Sequence, residues 1–172
     1  MSTRQGSRGE IAIIVSVELL AMMVWGGGLI VLGAVAAPLV FGIVPAPHSA
    51  DAMTQVFLRF DRVAMTCAAI ALVAESALGR RAGKIARLDL ARLGIVVLAG
   101  ALTIAQGAWL SPKIAELHRG GAVRGLGEAG LALERFHGWS ETSGKTELAL
   151  LIAAVVLVVW KACTLQNEPV RH

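Results

Sequence analysis

Residues 19–44, LLAMMVWGGGLIVLGAVAAPLVFGIV, contain no charged side chain. A helix needs about 20 apolar residues to cross the hydrocarbon of a bilayer, and this run has 26. It reaches back to Ile11 if Glu18 is admitted. Three further stretches repeat the pattern. Residues 63–79 hold one charge, Glu75; residues 93–112 hold none; residues 148–160 hold none and continue past Lys161 to Leu165. These runs predict an all-α protein, an integral membrane antiparallel four-helix bundle forming a single domain over residues 1–172. The expected spans are 12–41, 57–79, 92–111 and 145–165, with an amphipathic segment at 113–144.

Composition agrees. Hydrophobic residues make up 56% of the chain and charged residues 16%, with a mean hydropathy of +0.69. A soluble domain is about a quarter charged, so this chain lacks the charge to cover a soluble surface. Disorder, collagen and a disulfide scaffold are excluded on the same grounds. Arg4 and Arg8 precede the first apolar run, and Ala34-Val35-Ala36 has the small-x-small form of a cleavage site. That run is longer than the apolar region of a secretory signal, and Pro38 follows the would-be cut, so a retained first helix is expected.

The basic residues suggest an orientation. With the N-terminus inside, segments 1–10, 80–92 and 161–172 carry nine Lys and Arg in 35 residues, and the outer segments 42–62 and 111–147 carry seven in 58. The positive-inside rule then places both termini in the cytoplasm and the chain in the cell inner membrane. Subtracting acids divides the net charge of +4 into +6 inside, zero outside and −2 from Glu18 and Glu75 in the spans. The pI near 9.7 thereby points to anionic lipid headgroups, and no nucleic-acid partner is expected. Cys67 and Cys163 fall at opposite ends of the bundle, too far apart to bridge.

Function is sought among polar residues in or beside the spans. Counting along the helices puts Glu18 and Glu75 at similar depth near the cytoplasmic face. They form either a paired-carboxylate ion or proton site or two interfacial acids neutralised by Arg80, Arg81 or Lys84. Toward the outer face, Arg59, Asp61 and Arg62 enter span two, Gln106 and Trp109 lie near the end of span three, and Glu147 opens span four. Glu147 and Lys161, at the ends of that short span, are placed to snorkel toward headgroups. Residues 126–146 have helical spacing, with Glu134, His137 and Glu141 on one side. The candidate site is the cluster Arg59, Asp61, Arg62, His137 and Glu141, with Arg59 or Arg62 paired to acids. No catalytic motif, metal set or cofactor signature is present in the sequence. The leading functional reading is small-solute or ion binding associated with transport. A structural or assembly subunit is the alternative, whether as a homo-oligomer or with another membrane protein. A copper- or haem-linked redox protein is the third.

Small residues mark helix contacts: Gly26, Gly33 and Ala37 in span one, Ala64, Ala68 and Ala71 in span two, Gly94, Ala101, Ala105 and Ala108 in span three. Gly26-Gly27-Gly28 implies a kink or a tight contact, and Pro38 an end or bend of span one.

Four motifs in order carry a resemblance: Trp25-Gly26-Gly27-Gly28, Pro38-Leu39-Val40-Phe41, Phe57 with Arg59-Phe60, and Phe136-His137-Gly138-Trp139-Ser140. Together they resemble the transmembrane protein 205-like family, small four-span proteins without an assigned activity. The resemblance implies a compact four-helix membrane protein with Gly26, Gly27, Pro38, Phe41 and His137 as its marked positions. The Trp-Gly-Gly run with a later Pro also looks like a segment of copper-resistance membrane proteins.

Overall fold

The computed structural model describes residues 2–81 and 87–166, with side chains over 9–80 and 87–161. It is all-helical, with no strand among the described residues. Helix α1 (Ser2–Val31) passes through a π-helical turn, Leu32–Ala36, into α2 (Ala37–Ile43). Helix α3 is His48–Arg81. Helix α4 (Arg87–Ala105) passes through a second π turn, Gln106–Leu110, into α5 (Ser111–Arg119). Helix α6, Gly127–Gln166, runs 40 residues unbroken. The result is four long rods: α1–α2, α3, α4–α5 and α6.

Local sequence explains where these rods start and stop. Asp51, Asp89 and Glu128 lie in the first turns of α3, α4 and α6, where a negative charge faces the positive end of the helix dipole. His118 and Arg119 occupy the last turn of α5, where a positive charge is favoured. The chain then reverses through Gly121, Gly125 and Gly127, all with positive φ, a backbone region open to glycine at little cost. Pro38 does not end its rod. It and Pro112 each stand at the first turn after a π segment. A proline lacks the N–H of the regular ladder and crowds the carbonyl four residues back, and the wider π turn accommodates both defects without breaking the rod.

Consecutive rods pack side by side, and α6 closes the ring against α1. The core is made of small side chains, Ala21, Ala64, Ala68, Ala71, Ala99 and Ala154, around Met22, Trp25, Val96 and Leu151. Large apolar side chains such as Ile13, Leu20, Met23, Val31, Val73, Leu98, Ile104 and Ile152 point outward. A water-soluble bundle buries its apolar stripe and exposes charge. This molecule does the reverse, which is the pattern of a protein solvated by lipid.

Three helical stretches are long and apolar enough to cross a membrane: Gly9–Ile43, Arg87–Arg119 and Gly127–Lys161. The sequence reading counted a fourth at 57–79. Helix α3 has the length, but Arg59, Asp61, Arg62 and Glu75 interrupt its apolar run. The amphipathic stretch from 127 onward joins the last apolar run in one straight helix about 60 Å long, twice the ~30 Å hydrocarbon thickness.

The small-residue stripe on span two, which composition alone would also explain, faces the core, and the one on span three was read on the wrong face. Ala64, Ala68 and Ala71 are buried, whereas Gly94, Ala101, Ala105 and Ala108 are exposed and Arg92, Val96, Ala99, Gly100 and Thr103 face inward. Polar Arg92 and Thr103 determine this rotation, because outward they would meet hydrocarbon. The glycine run makes a tight contact and no kink. A Cβ on Gly28 would lie 2.1 Å from the Phe60 ring, whereas one on Gly27 would meet nothing within 4 Å. Gly28→Ala is therefore expected to destabilise by about 1–3 kcal/mol through overpacking, and Gly27→Ala to gain up to about 1 kcal/mol in helix propensity. Thermal unfolding of both variants in one detergent checks the contrast.

Candidate functional site

Two buried polar centres lie at different levels of the bundle. The first is near the end that carries residues 81 and 87. Glu18 on α1 is 0% exposed, and Glu75 on α3 and Arg92 on α4 are each 5% exposed. The Arg92 guanidinium grips the Glu75 carboxylate with two donors, Nε to Oε1 and Nη2 to Oε2, the latter at 2.8 Å. Beside them Lys161 on α6 is bound to Asp89. The sequence left open a paired-carboxylate site or two interfacial acids beside Arg80, Arg81 or Lys84. The acids lie inside the bundle with Arg92, a residue that the sequence placed at the boundary between the inner segment and span three. Arg80 is exposed, and Lys84 and the Arg81 side chain lie outside the described residues, as does that of Cys163.

The second centre lies two helical turns further along α1. The Trp25 indole N–H donates to Glu147 on α6, and both side chains are buried. The Thr103 hydroxyl on α4 donates to the Ala99 carbonyl at 3.1 Å and is among the groups around Glu147. Asp61 on α3, 5% exposed, has Ser111 and Glu147 in its surroundings. Gln106 joins this group to α6: its Nε2 lies 3.4 Å from Ser111 Oγ and donates to Ser140 Oγ at 2.5 Å. The π turn at Gln106–Leu110 sets this geometry. It places Gly107 where a Cβ would come within 3.0 Å of the Asp61 side chain. All four rods thus contribute to one chamber with two carboxylates. Neither acid forms an ion pair with a basic side chain among the described residues. Asp61 Oδ2, Gln106 Oε1 and Ser143 Oγ are buried without a hydrogen-bond partner.

The five residues grouped in the sequence are not gathered into one cluster. Only Asp61 enters the chamber. Arg59 and Arg62 are exposed on α3 and form no ion pair among the described residues. Glu141 is exposed and bound to Lys145 at 2.7 Å. That ammonium holds the Glu141 carboxyl below the usual range. His137 is half-buried, with its Nε2 3.4 Å from that of His118; burial, then the charges of Arg124 and His118, lower its pKa. Glu147, expected to reach a headgroup region, is 2% exposed inside the bundle.

The Phe136–Ser140 motif connects several of these contacts. Phe136 and Trp139 pack on Trp109 with ring centroids 5.8 and 6.0 Å away, His137 meets His118, and Ser140 meets Gln106. Of the other motif positions, Gly26 packs on Leu148 and Leu151, and Gly27 faces open space. Pro38 follows the first π turn, and Phe41 is exposed. Trp25, Thr103 and Ser111 were missed as site residues. The available signal was Trp25 in mid-span, since membrane tryptophans collect at interfaces and one at depth needs an acceptor for its N–H.

Fold and centres together define a small helical membrane protein with ionisable groups buried inside its bundle. The chain belongs to the family described as a domain of unknown function, DUF4149, which matches residues 20–122. That match includes Trp25, Asp61, Glu75, Arg92, Thr103, Gln106 and Ser111 and stops before α6 with its Glu147. No curated protein and no solved structure matches the chain.

Removing one partner of a buried ion pair strands the other charge at a cost of about 3–5 kcal/mol, whereas replacing both by apolar groups is often neutral. Arg92→Met is accordingly expected to lose that much, and Glu75→Met/Arg92→Met to recover most of it. Denaturant titrations of the two variants in micelles make the comparison.

Proposed function

We propose that this protein crosses the cell membrane four times, with both termini cytoplasmic, and binds a small hard cation, a proton or Na⁺, in a transport-associated role. The supporting observation is the Asp61–Glu147 cluster: two buried acids with hydroxyl and amide groups around them and no basic side chain paired to either among the described residues. A buried carboxylate in low dielectric is costly unless a cation or a proton joins it. Oxygen donors of this kind suit hard ions over soft ones. Four crossings are supported by the position of α3 between α1 and α4, with Asp61 and Glu75 turned into the bundle. The orientation is supported by the density of Lys and Arg. The order of the four motifs supports kinship with the transmembrane protein 205-like proteins.

Trp25 supplies a built-in reporter, since its N–H is bonded to Glu147. Adding Na⁺ or acid to protein in proteoliposomes should change intrinsic fluorescence, and Trp25→Phe should remove that change. Asp61→Asn and Glu147→Gln should each weaken the response at least about tenfold, roughly 1.4 kcal/mol, while Glu116→Gln, on an exposed surface, leaves it intact. Absence of any cation response in the folded parent protein rules the reading out.

One observation favours a second reading, that of an assembly subunit. Gly94, Ala101, Ala105 and Ala108 form an exposed small-residue face on the third rod, the kind of surface on which membrane helices approach closely. If that face is used, Ala101→Phe/Ala105→Phe shifts the particle mass in detergent toward the monomer. An unchanged mass removes the reading.

A further inference from the structure

Glu18 is fully buried, and neither of its carboxyl oxygens has a hydrogen-bond partner among the described residues. Three charged groups face it, one from each of the other rods: Glu75 on α3, Arg92 on α4 and Lys161 on α6. The cations among them are engaged elsewhere. Arg92 directs two donors at Glu75, and the Lys161 ammonium is bound to Asp89. The Glu75 carboxylate is among the groups that face Glu18, and two carboxylates form no hydrogen bond unless one of them carries a proton. An unpaired carboxylate in such a place costs several kcal/mol, and a carboxylic acid donating to its neighbour does not.

We propose that Glu18 is a proton-binding site, holding a proton that is shared in a hydrogen bond to Glu75 and exchanged from the end of the bundle that carries residues 81 and 87. Arg92 donates to both Glu75 oxygens, so Glu75 is the acceptor of that hydrogen bond and Glu18 its donor. Seven residues of helix, about 10 Å, separate this site from Trp25. The intervening layer of Ala21, Met22, Ala71, Val96 and Ala99 is apolar and packed. The proton therefore does not come through the cation chamber. An apolar groove of about 380 Å³ between α1 and α3 is lined by Ile14, Val17, Ile70, Val73 and Ala74, of which Val17 and Ala74 adjoin Glu18 and Glu75 in the chain.

A lipid-soluble carbodiimide, dicyclohexylcarbodiimide, tests this. Its C=N bond adds the O–H of a protonated carboxyl, the proton passing to nitrogen, and the adduct rearranges to a stable N-acylurea with nothing lost. In full-length protein in liposomes at neutral pH, peptide mass mapping should place the adduct on Glu18 and not on Glu75. Its yield should fall about tenfold per pH unit once the proton is lost. Glu18→Gln should abolish it, and Glu116→Gln, on an exposed surface, should leave it unchanged. Infrared spectra of the parent and of an Asp61→Asn/Glu147→Gln protein should both show a protonated-carboxyl band that disappears with the same pH dependence, which assigns it outside the Asp61–Glu147 group. A missing band at neutral pH, or an adduct on Glu75 instead of Glu18, overturns the proposal. These outcomes do not depend on the cation response of Asp61 and Glu147, so either reading can fail alone.

Discussion

The buried pair of Glu75 and Arg92 constrains the rest of the bundle. A guanidinium on a lipid-exposed helix face would cost several kcal/mol, so α4 must turn Arg92 inward, and that single requirement sets the rotation of the whole helix. Val96, Ala99 and Thr103 follow Arg92 at intervals of four, three and four residues, and they arrive in the core because Arg92 does. Glu75 imposes the same condition on α3, bringing Ala64, Ala68 and Ala71 onto the inner face. Small side chains there let the rods approach closely enough for side chains of different helices to bond.

From the same rotation follows the division of the interior into a charged layer, an apolar layer and a second polar layer. Along α1 the inward positions read Glu18, Ala21, Met22 and Trp25, an acid and a donor with a dry interval between them. The other rods repeat it: Glu75 and Asp61 on α3, Arg92 and Thr103 on α4, Lys161 and Glu147 on α6. No rod lacks a polar group at either level. The two π turns add to this by carrying the rods through Pro38 and Pro112 without a break, and the second one brings Gln106 and Gly107 against Asp61.

Helix content was plain in the sequence, because uncharged runs such as 19–44 and 93–112 leave no other reading. The equal depth of Glu18 and Glu75 also came from counting residues, since rise per residue is fixed. What counting could not supply was which face of a helix looks inward. The stripe at Gly94, Ala101, Ala105 and Ala108 is as regular as the buried one on α3, and only the position of Arg92, placed by the sequence at the boundary between the inner segment and span three, decides between faces. The same gap hid the chamber. Asp61 was grouped with Arg59 and Arg62, its neighbours in sequence, although adjacent positions on a helix diverge by about 100°. Its true partners, Glu147 and Ser111, come from rods far away in the chain.

Helix α6 is the longest of the described helices, and its side chains reach both layers and then continue beyond them. Glu147 lies in the chamber and Lys161 beside the ion pair, fourteen residues or about 21 Å apart on a single unbroken axis. Ser140 and the Phe136–Trp139 aromatic group extend that axis further, past the second π turn. Because these side chains hang from one helix, their spacing is set by its rise and twist alone, and no hinge separates the aromatic group from either polar layer.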